Sequence, residues 1–246
     1  MRFSAGWPSI IYPSVVISCA LSVGYGQIPV VRKLDLVVCS GEIVVLLGAN
    51  GAGKTTTLMA LAGLLVPGEG SVKLHGRATR AALHLRSQQG LAYVPEQRGV
   101  FRDLTTRENL RLGRGSPELA LELMPELRAL VDRRAGLLSG GEQQMLSLAR
   151  ALASRPAVLL CDELSLGLAP LIVERLLKAI RLAAHEGVAV LLVEQHVRAA
   201  LSVADRAYVM RRGVIQMSGT AQQVGSRREE IESSYLSAPA AKQAVP

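Results

Sequence analysis

A short apolar strand runs directly into a glycine-rich loop near residue 50, and this junction constrains the fold more than any other part of the sequence. The run "EIVVLLG" (residues 42–48) predicts a buried strand, and "KTTTLMALAGLL" after it has apolar residues at helical spacing. Between them, "GANGAGKT" fits the phosphate-loop pattern G-x-x-x-x-G-K-[ST]. A strand, a loop and a helix in this order predict an α/β chain that binds a nucleotide.

The loop has the chemistry that phosphate oxygens require. Its glycines allow backbone N–H groups to close around the phosphates, and the helix amino terminus adds partial positive charge. Lys54 would reach the β and γ phosphates, and the Thr55 hydroxyl could ligate Mg²⁺. The flanking strand and helix disfavour the alternative, a plain glycine-rich turn. The residues predicted to contact the nucleotide here are Gly48, Ala49, Asn50, Gly51, Ala52, Gly53, Lys54, Thr55 and Thr56.

A second apolar strand supplies two carboxylates. "AVLLCDE" ends in Asp162 and Glu163, and ligands of open α/β sheets sit at the carboxyl ends of strands. Asp162 would hold Mg²⁺, through water, and Glu163 would polarise the attacking water. The alternative is a pair of solvated acids that cap the next segment. The phosphate loop upstream favours the catalytic interpretation.

The stretch "LLSGGEQQMLSLARAL" places a second glycine turn ahead of a helix, predicted over residues 142–153. Ser139, Gly140 and Gly141 can present N–H groups and a hydroxyl at the start of this helix, which is an anion site. The phosphate loop already surrounds the nucleotide of its own chain. The second turn is therefore expected to contact the ATP of another chain, in a head-to-tail dimer. Alone, "SGG" would indicate an ordinary serine-capped helix.

The rest of the chain predicts further strands and helices in alternation. Residues 98–136 are expected to be helical, with Thr105 and Glu108 spaced for a capping box. Residues 171–186 form another expected helix, and a hairpin should turn at Arg212 and Gly213. Additional strands are predicted in "GSVKLHG", "GLAYVPE" and "GVAVLLVEQ".

The amino-terminal stretch has two interpretations, because no side chain from Phe3 to Val31 is charged. It could be a signal peptide or a membrane span, but Pro8 and Pro13 interrupt it. The favoured interpretation is an extension over residues 1–13 followed by a strand over residues 14–23. At the other end, "SAPAAKQAVP" (residues 237–246) is small, alanine-rich and expected to be disordered.

Bulk composition excludes some classes of function. The net charge of +8 (pI ≈ 9.9) would suit nucleic acid or an anionic membrane, or it reflects solvated arginine-rich faces. Aromatic residues make up only 3% of the chain, too few for base-stacking platforms. The three cysteines lack metal-ligand spacing, which indicates reduced thiols in a cytosol. No nucleic-acid partner is expected.

Taken together, "GANGAGKTT", "LSGGE", "LLCDE" and "SLGLAP" resemble the motifs of the ATP-binding cassette family, in the family's order. The resemblance implies an α/β fold: a P-loop NTPase (RecA-like) core with an antiparallel β subdomain and a helical signature subdomain. It places the nucleotide-binding domain at residues 14–236 and its helical lobe at about 98–150. It also implies that Tyr25 stacks on adenine and that residues 165–168 touch the partner subunit.

A narrower resemblance is carried by "VPEQRGVF", "ELMPEL", "SLGLAP" and "LVEQHVRAAL", which are similar to the ATPase subunits of bacterial branched-chain amino acid importers. Importers of urea and small amides carry similar cassettes. The implied partners are a second homologous ATPase, two membrane permeases and, indirectly, an extracytoplasmic binding protein. The implied location is the cytoplasmic face of the inner membrane, where the subunit would be peripheral, with ATP and Mg²⁺ as its small ligands.

Three positions depart from the family pattern. Glu96 stands where the family usually has glutamine, with Gln97 next, so either Glu96 ligates Mg²⁺ or Gln97 makes the contact. Leu164 replaces the usual proline. At the switch histidine, Gln195 takes the place counted from the strand and His196 falls one residue later; either is a candidate for contact with the γ-phosphate.

Two other classes of function are possible on the sequence alone. A nucleic-acid-acting cassette ATPase would explain the basic charge, but it typically has two cassettes in one chain or a long coiled-coil insertion. A small-molecule P-loop kinase would explain the phosphate loop and Asp162, but it leaves "LSGGE" without a role.

Overall fold

Two β-sheets organise the chain, for which the computed structural model describes residues 14–26 and 28–236. The strands are β1 (Ser14–Tyr25), β2 (Ile28–Cys39), β3 (Ile43–Leu47), β4 (Glu69–Leu74), β5 (Arg77–Thr79), β6 (Leu91–Val94), β7 (Val158–Asp162), β8 (Ala189–Glu194), β9 (Arg206–Arg211) and β10 (Val214–Thr220). The helices are α1 (Lys54–Ala62), α2 (Leu83–Gln88), α3 (Thr106–Arg111), α4 (Pro117–Leu123), α5 (Gly140–Ala153), α6 (Pro170–His185), α7 (Val197–Leu201), α8 (Ala221–Gly225) and α9 (Arg228–Leu236). Two 3₁₀ helices cover Pro125–Leu130 and Ala135–Leu137.

The larger sheet has the order β10-β9-β3-β8-β7-β6, and its strands from β9 to β6 run parallel. Every residue of β3, β7 and β8 is buried, which explains why these strands are apolar on both faces. Alternate β3 residues enter different cores: Val45 faces the core shared with α5 and α6, and Val44 faces the core shared with α1 and the smaller sheet.

The smaller sheet is antiparallel, in the order β2-β1-β4-β5, and it confirms the expected antiparallel β subdomain. The predicted strand over residues 14–23 exists and continues to Tyr25. Residues 14–25 are thus paired with β2 and β4 in a sheet and are not part of a helix. Among the helices of residues 14–26 and 28–236, none has the length and apolarity to cross a bilayer. The predictions for residues 1–13 and 237–246 lie outside the described part of the chain.

The region predicted to be helical over residues 98–136 does contain helices, but they are short and separate. Pro117 and Pro125 begin new elements, and the region breaks into α3, α4 and the two 3₁₀ helices, since proline cannot continue a preceding helix. The capping box is confirmed: the Thr105 hydroxyl accepts from the Glu108 N–H, and the Glu108 carboxylate accepts from the Thr105 N–H. Helix α5 begins at Gly140, two residues before the predicted start.

A buried arginine, whose role the sequence did not predict, fixes the carboxyl end of α1. Arg86 in α2 is 1% exposed. Its guanidinium donates to the carbonyl oxygens of Ala60 (3.0 Å) and Leu61 at the end of α1. It also donates to the carbonyl oxygen of Ala81 (2.7 Å). The helix that follows the phosphate loop is thereby held at its far end by two charge-assisted hydrogen bonds.

We expect Arg86→Met to lower the free energy of unfolding by about 2–4 kcal/mol, because three buried carbonyl groups lose their donor. Urea unfolding of the purified chain measures the change. The matched control is Arg77→Met on β5, where the arginine is exposed. Equal losses in the two variants would show that the buried hydrogen bonds of Arg86 contribute nothing specific.

Candidate functional site

The carboxyl ends of β3, β7 and β8 meet at one edge of the larger sheet, because the three strands are parallel neighbours. The phosphate loop lies at this edge, between β3 and α1. Gly51 (φ 76°) and Gly53 (φ 106°) adopt left-handed conformations that favour glycine. The expected strand–loop–helix unit is therefore present, with its loop open to a ligand on the side where α/β sheets bind them.

The phosphate loop is tied to both sheets through the β9–β10 hairpin. Gly213 donates its N–H to the carbonyl oxygen of Ala52 (2.8 Å). Its own carbonyl oxygen accepts from the N–H of Arg32 in β2 (2.8 Å). A Cβ atom on Gly213 would lie 1.9 Å from the carbonyl oxygen of Val30, so only glycine fits there. These contacts fix the loop before any ligand binds.

Lys54 is the cationic centre of the site. Its ammonium donates to the carbonyl oxygens of Gly48 (2.8 Å) and Ala49 (3.2 Å), and it forms an ion pair with Glu163 Oε1 (3.2 Å). The Lys54 side chain is 4% exposed and that of Glu163 is 11% exposed. The structure thus joins the predicted phosphate-binding lysine to the predicted catalytic carboxylate directly.

Thr55 and Asp162 form the oxygen pair expected of a magnesium site. The Thr55 hydroxyl donates to Asp162 Oδ1 (3.3 Å). Asp162 Oδ2 is buried, and no donor in the described part of the chain reaches it. A buried carboxylate oxygen without a partner, beside a hydroxyl, suits a hard divalent cation. These residues therefore fit Mg²⁺.

The raised pKa of Asp162 also supports a cation site at this place. Burial, together with the negative charges of Glu163 and Glu96, raises the pKa of its carboxyl group to about 6. The Thr55 hydrogen bond and the charge of Lys54 oppose this shift. The site therefore has an excess of negative charge that a cation would relieve.

Glu163 itself is held in an unusual conformation. Its φ of 44° lies in the left-handed region, which is rare for a residue with a side chain. Its N–H donates to the carbonyl oxygen of Val193 in β8 (2.9 Å). The carboxylate also lines a cavity of about 530 Å³ together with Glu96, Gln97 and Gln144. Both candidates for the loop after β6, Glu96 and Gln97, thus line the same cavity as Glu163.

The two switch candidates occupy different surroundings. Gln195 is half-buried and follows the last residue of β8. His196 is exposed, caps α7 and lines a separate groove between α6 and α7, beside Pro170 and Leu177. Gln195 therefore lies at the carboxyl end of β8, whereas His196 lies at the groove between α6 and α7.

Tyr25 ends β1 and presents its ring to solvent. The side chain is 52% exposed, and its hydroxyl lies 3.8 Å from Met59 Sδ of α1. The ring is therefore beside the helix that starts at the phosphate loop, and its face is available for stacking.

The second glycine turn caps α5 at a different place in the molecule. The Ser139 hydroxyl accepts from the Glu142 N–H (3.3 Å), and the Ser139 N–H donates to Glu142 Oε2 (2.7 Å). Helix α5 packs against α3, α4, α6 and β6. Within residues 14–26 and 28–236, no hydrogen bond or ion pair joins Ser139, Gly140 or Gly141 to the phosphate loop. Ser139 is exposed, and Gly140 and Gly141 are half-buried beside Arg98 and Ile172.

Comparison with known proteins identifies the family. The sequence profile of the ABC transporter family matches residues 31–165, more than half of the chain. The chain belongs to the ABC transporter family. It is an ATPase whose ATP hydrolysis is coupled to transport.

Two relatives and one solved structure illustrate the similarity. The chain is 43% identical over 210 residues (81% of this chain, 90% of the relative) to the high-affinity branched-chain amino acid transport ATP-binding protein BraG of Pseudomonas aeruginosa. It is 35% identical over 238 residues (91% and 97%) to the lipopolysaccharide export system ATP-binding protein LptB of Haemophilus influenzae. The dimeric post-hydrolysis structure of the ATP-binding cassette MJ0796, bound to ADP and Pi, shares the fold, with a TM-score of 0.75 and 24% identity over 84% and 98% of the two chains.

This ABC cassette has a further buried acid that the sequence analysis did not select. Glu194, the last residue of β8, is 2% exposed and accepts hydrogen bonds from the backbone and the hydroxyl of Ser165. A signal was present: "AVLLVE", like "VLLCD", is an apolar run that ends in a carboxylate. The contact with Ser165 could not be inferred, because it spans 29 residues of sequence.

We expect Asp162→Asn to stabilise the nucleotide-free chain, by about 1–3 kcal/mol at about pH 8, because it removes a buried charge. The pKa of Asp162 is raised on folding, so the stability of the wild type falls as the pH rises from about 4 through about 6. The advantage of the Asp162→Asn variant over the wild type should therefore shrink as the pH falls toward about 4. Thermal unfolding in EDTA measures it.

The control for this experiment is Asp132→Asn, at an exposed carboxylate paired with Arg107 on the surface. It should leave the melting temperature nearly unchanged across the same pH range. If Asp162→Asn were no more stable than the wild type, or if its advantage did not depend on pH, the inferred excess of negative charge around Asp162 would be contradicted.

Proposed function

We propose that this chain is the ATP-hydrolysing subunit of an importer for branched-chain amino acids, or for related small amides or urea. The observation that carries the proposal is the 43% identity to BraG over 90% of that relative's length. The proposed cargo rests on this similarity, because the cargo does not touch the ATPase subunit. A lipopolysaccharide exporter is the second candidate, favoured by the 35% identity to LptB over 97% of its length.

The site supports a mechanism for hydrolysis in which Lys54 changes partner. Without nucleotide its ammonium is bound to two loop carbonyls and to Glu163. When ATP binds, residues 48–56 would surround its phosphates with backbone N–H groups, and Lys54 would turn to the β and γ phosphates. Glu163, released from the ion pair, would then accept a proton from water as the water oxygen attacks the γ-phosphorus and ADP leaves.

Thr55 and Asp162 would hold the Mg²⁺ ion, with Glu96 as a further candidate at the same edge. Bound there, the ion would neutralise phosphate charge. Gln195 follows β8 directly, and we assign it the contact with the γ-phosphate in preference to His196, which lines the groove between α6 and α7. Gln97 would make the contact expected from the loop after β6. Tyr25 would stack on adenine.

The second glycine turn supports a dimer. Ser139, Gly140 and Gly141 would contact the ATP held by a second, homologous cassette, arranged head to tail. The position of this turn away from its own phosphate loop supports the arrangement, as does the dimeric state of the MJ0796 structure. Residues 14–236 would form the nucleotide-binding domain, with its helical lobe at about 98–150.

The membrane partners follow from the proposed importer. The cassette would attach peripherally to two permease subunits at the cytoplasmic face of the inner membrane, and an extracytoplasmic binding protein would deliver the cargo. The loop over residues 96–101 would carry the movement from the nucleotide to the permeases. Arg150 anchors this loop to α5 by donating to the carbonyl oxygen of Gly99 (2.5 Å) and lying over the Phe101 ring (5.9 Å).

We expect Glu163→Gln to keep ATP binding while lowering the ATPase rate by about 100-fold or more, because glutamine cannot accept a proton from water. ATP affinity is measured by titration with a fluorescent analogue, and turnover by phosphate release. The control is Glu186→Gln, beyond the end of α6 and exposed. An unchanged rate in Glu163→Gln would refute the proposed role.

The transport assignment is tested by identifying the proteins that copurify with the chain from detergent-solubilised membranes of its own host. Two permeases and a second cassette are expected, and bound radiolabelled branched-chain amino acid in the reconstituted complex would support the cargo. A complex with outer-envelope export components would favour the lipopolysaccharide alternative. Salt-sensitive affinity for DNA or RNA would instead support a nucleic-acid ATPase.

A further inference from the structure

The backbone at Glu163 needs restraint from its surroundings. Its left-handed conformation is unfavourable for a residue with a Cβ atom, and such a conformation persists only where neighbouring contacts hold it. The residues that follow Glu163 do not form a helix until Pro170. Contacts from outside the segment must therefore hold the backbone at Glu163 in this conformation.

The end of β8 supplies these contacts in two steps. The carbonyl oxygen of Val193 accepts from the Glu163 N–H (2.9 Å). The next side chain, Glu194, accepts from the Ser165 N–H through Oε1 (3.0 Å) and from the Ser165 hydroxyl through Oε2 (2.6 Å). Residues 163–165 are thus bonded at both ends to two consecutive residues of one rigid strand.

Glu194 is an unfavourable residue for this place unless its carboxylate has a role there. Its side chain is only 2% exposed. Burial, together with the nearby charge of Glu163, raises the pKa of its carboxyl group to about 7, although the two Ser165 hydrogen bonds oppose the shift. Burying an acid beside a second acid costs free energy that an apolar residue would not cost.

We propose that Glu194 is a positioning residue: by holding Ser165, it keeps Glu163 in the strained conformation that aims its carboxylate at the attacking water. The inference deepens the proposed ATPase function and rests on it. Glu194 does not touch the nucleotide in this scheme. It acts through the backbone of residues 163–165, and it joins this segment to Gln195, the next residue along the chain.

The contact between Glu194 and Ser165 also links the proposed catalytic site to the segment expected to meet the partner subunit. Ser165 begins the segment over residues 165–168 that is expected to touch the partner subunit. A shift of this segment would move Ser165, and the hydrogen bonds from Ser165 to Glu194 would oppose that movement. The carboxyl group therefore keeps the catalytic glutamate and the partner-facing segment in a fixed relation to each other.

The test compares four variants of the full-length chain by steady-state ATPase kinetics. Glu194→Ala should lower kcat by about tenfold or more while the KM for ATP changes by less than about twofold, since nucleotide contacts are preserved. Glu194→Gln should retain kcat within about twofold, because its amide oxygen accepts from the Ser165 N–H and its amide nitrogen donates to the Ser165 hydroxyl. Ser165→Ala should lower kcat less than Glu194→Ala. The control Ser226→Ala, at an exposed serine capping a distant turn, should behave as the wild type.

Two further measurements separate positioning from general destabilisation. Combining Glu194→Ala with Ser165→Ala should lower kcat no further than Glu194→Ala alone, because both remove one contact. Hydrogen exchange followed by mass spectrometry should show faster exchange in peptides that cover residues 163–168 of Glu194→Ala, with the exchange of α1 and β3 unchanged.

Several results would overturn the proposal: an unchanged kcat in Glu194→Ala, a loss that Glu194→Gln does not restore, additive losses in the double variant, or unchanged exchange over residues 163–168. A rise in KM with constant kcat would also overturn it, because it would indicate a role in binding. A wild-type chain without ATPase activity would instead contradict the proposed function, and the exchange experiment would still decide whether Glu194 restrains the segment.

Discussion

The ion pair between Lys54 and Glu163 is the interaction on which the site depends. Burial and the negative charges of Glu163 and Glu96 raise the pKa of Asp162 at the edge of the sheet, and the Lys54 ammonium is paired with Glu163 beside it. The lysine is nearly buried, so its charge is poorly screened by water and acts strongly at short range. The nucleotide-free site is held together by a cation that a triphosphate would compete for. In the proposed mechanism, ATP binding and the release of the Glu163 carboxylate are therefore linked through Lys54.

The parallel sheet makes this arrangement possible. Strands β3, β7 and β8 deliver the phosphate loop, the two acidic residues and the Glu194–Gln195 pair to the same edge. Since all three strands are buried along their whole length, the positions of these groups are set by the core and not by flexible loops. The apolar character of the strands is thus a requirement of the chemistry as well as of the fold.

Features encoded within a few residues could be predicted from the sequence. The phosphate loop, Asp162 and Glu163 each combine an apolar strand with polar residues directly after it, and the Thr105 capping box has a fixed spacing. The helical character of residues 98–136 was predicted, but not its division into short elements, which begin at Pro117 and Pro125. Strand β2 was not predicted, although its alternation of apolar and charged residues is the pattern of a half-buried strand. The Glu194–Ser165 and Arg86–Ala60 contacts join distant segments, and no local pattern specifies them.

The hydrogen bonds of Gly213 affect how the protein unfolds. The hairpin connects β2 of the smaller sheet, through Arg32 and Gly213, to Ala52 in the phosphate loop. Fraying of the smaller sheet would thus disturb the loop itself, although no residue of that sheet except Tyr25 is expected to meet the nucleotide. The two sheets would consequently unfold as one cooperative unit. A destabilising substitution in the smaller sheet would then weaken ATP affinity as well as lower the melting temperature.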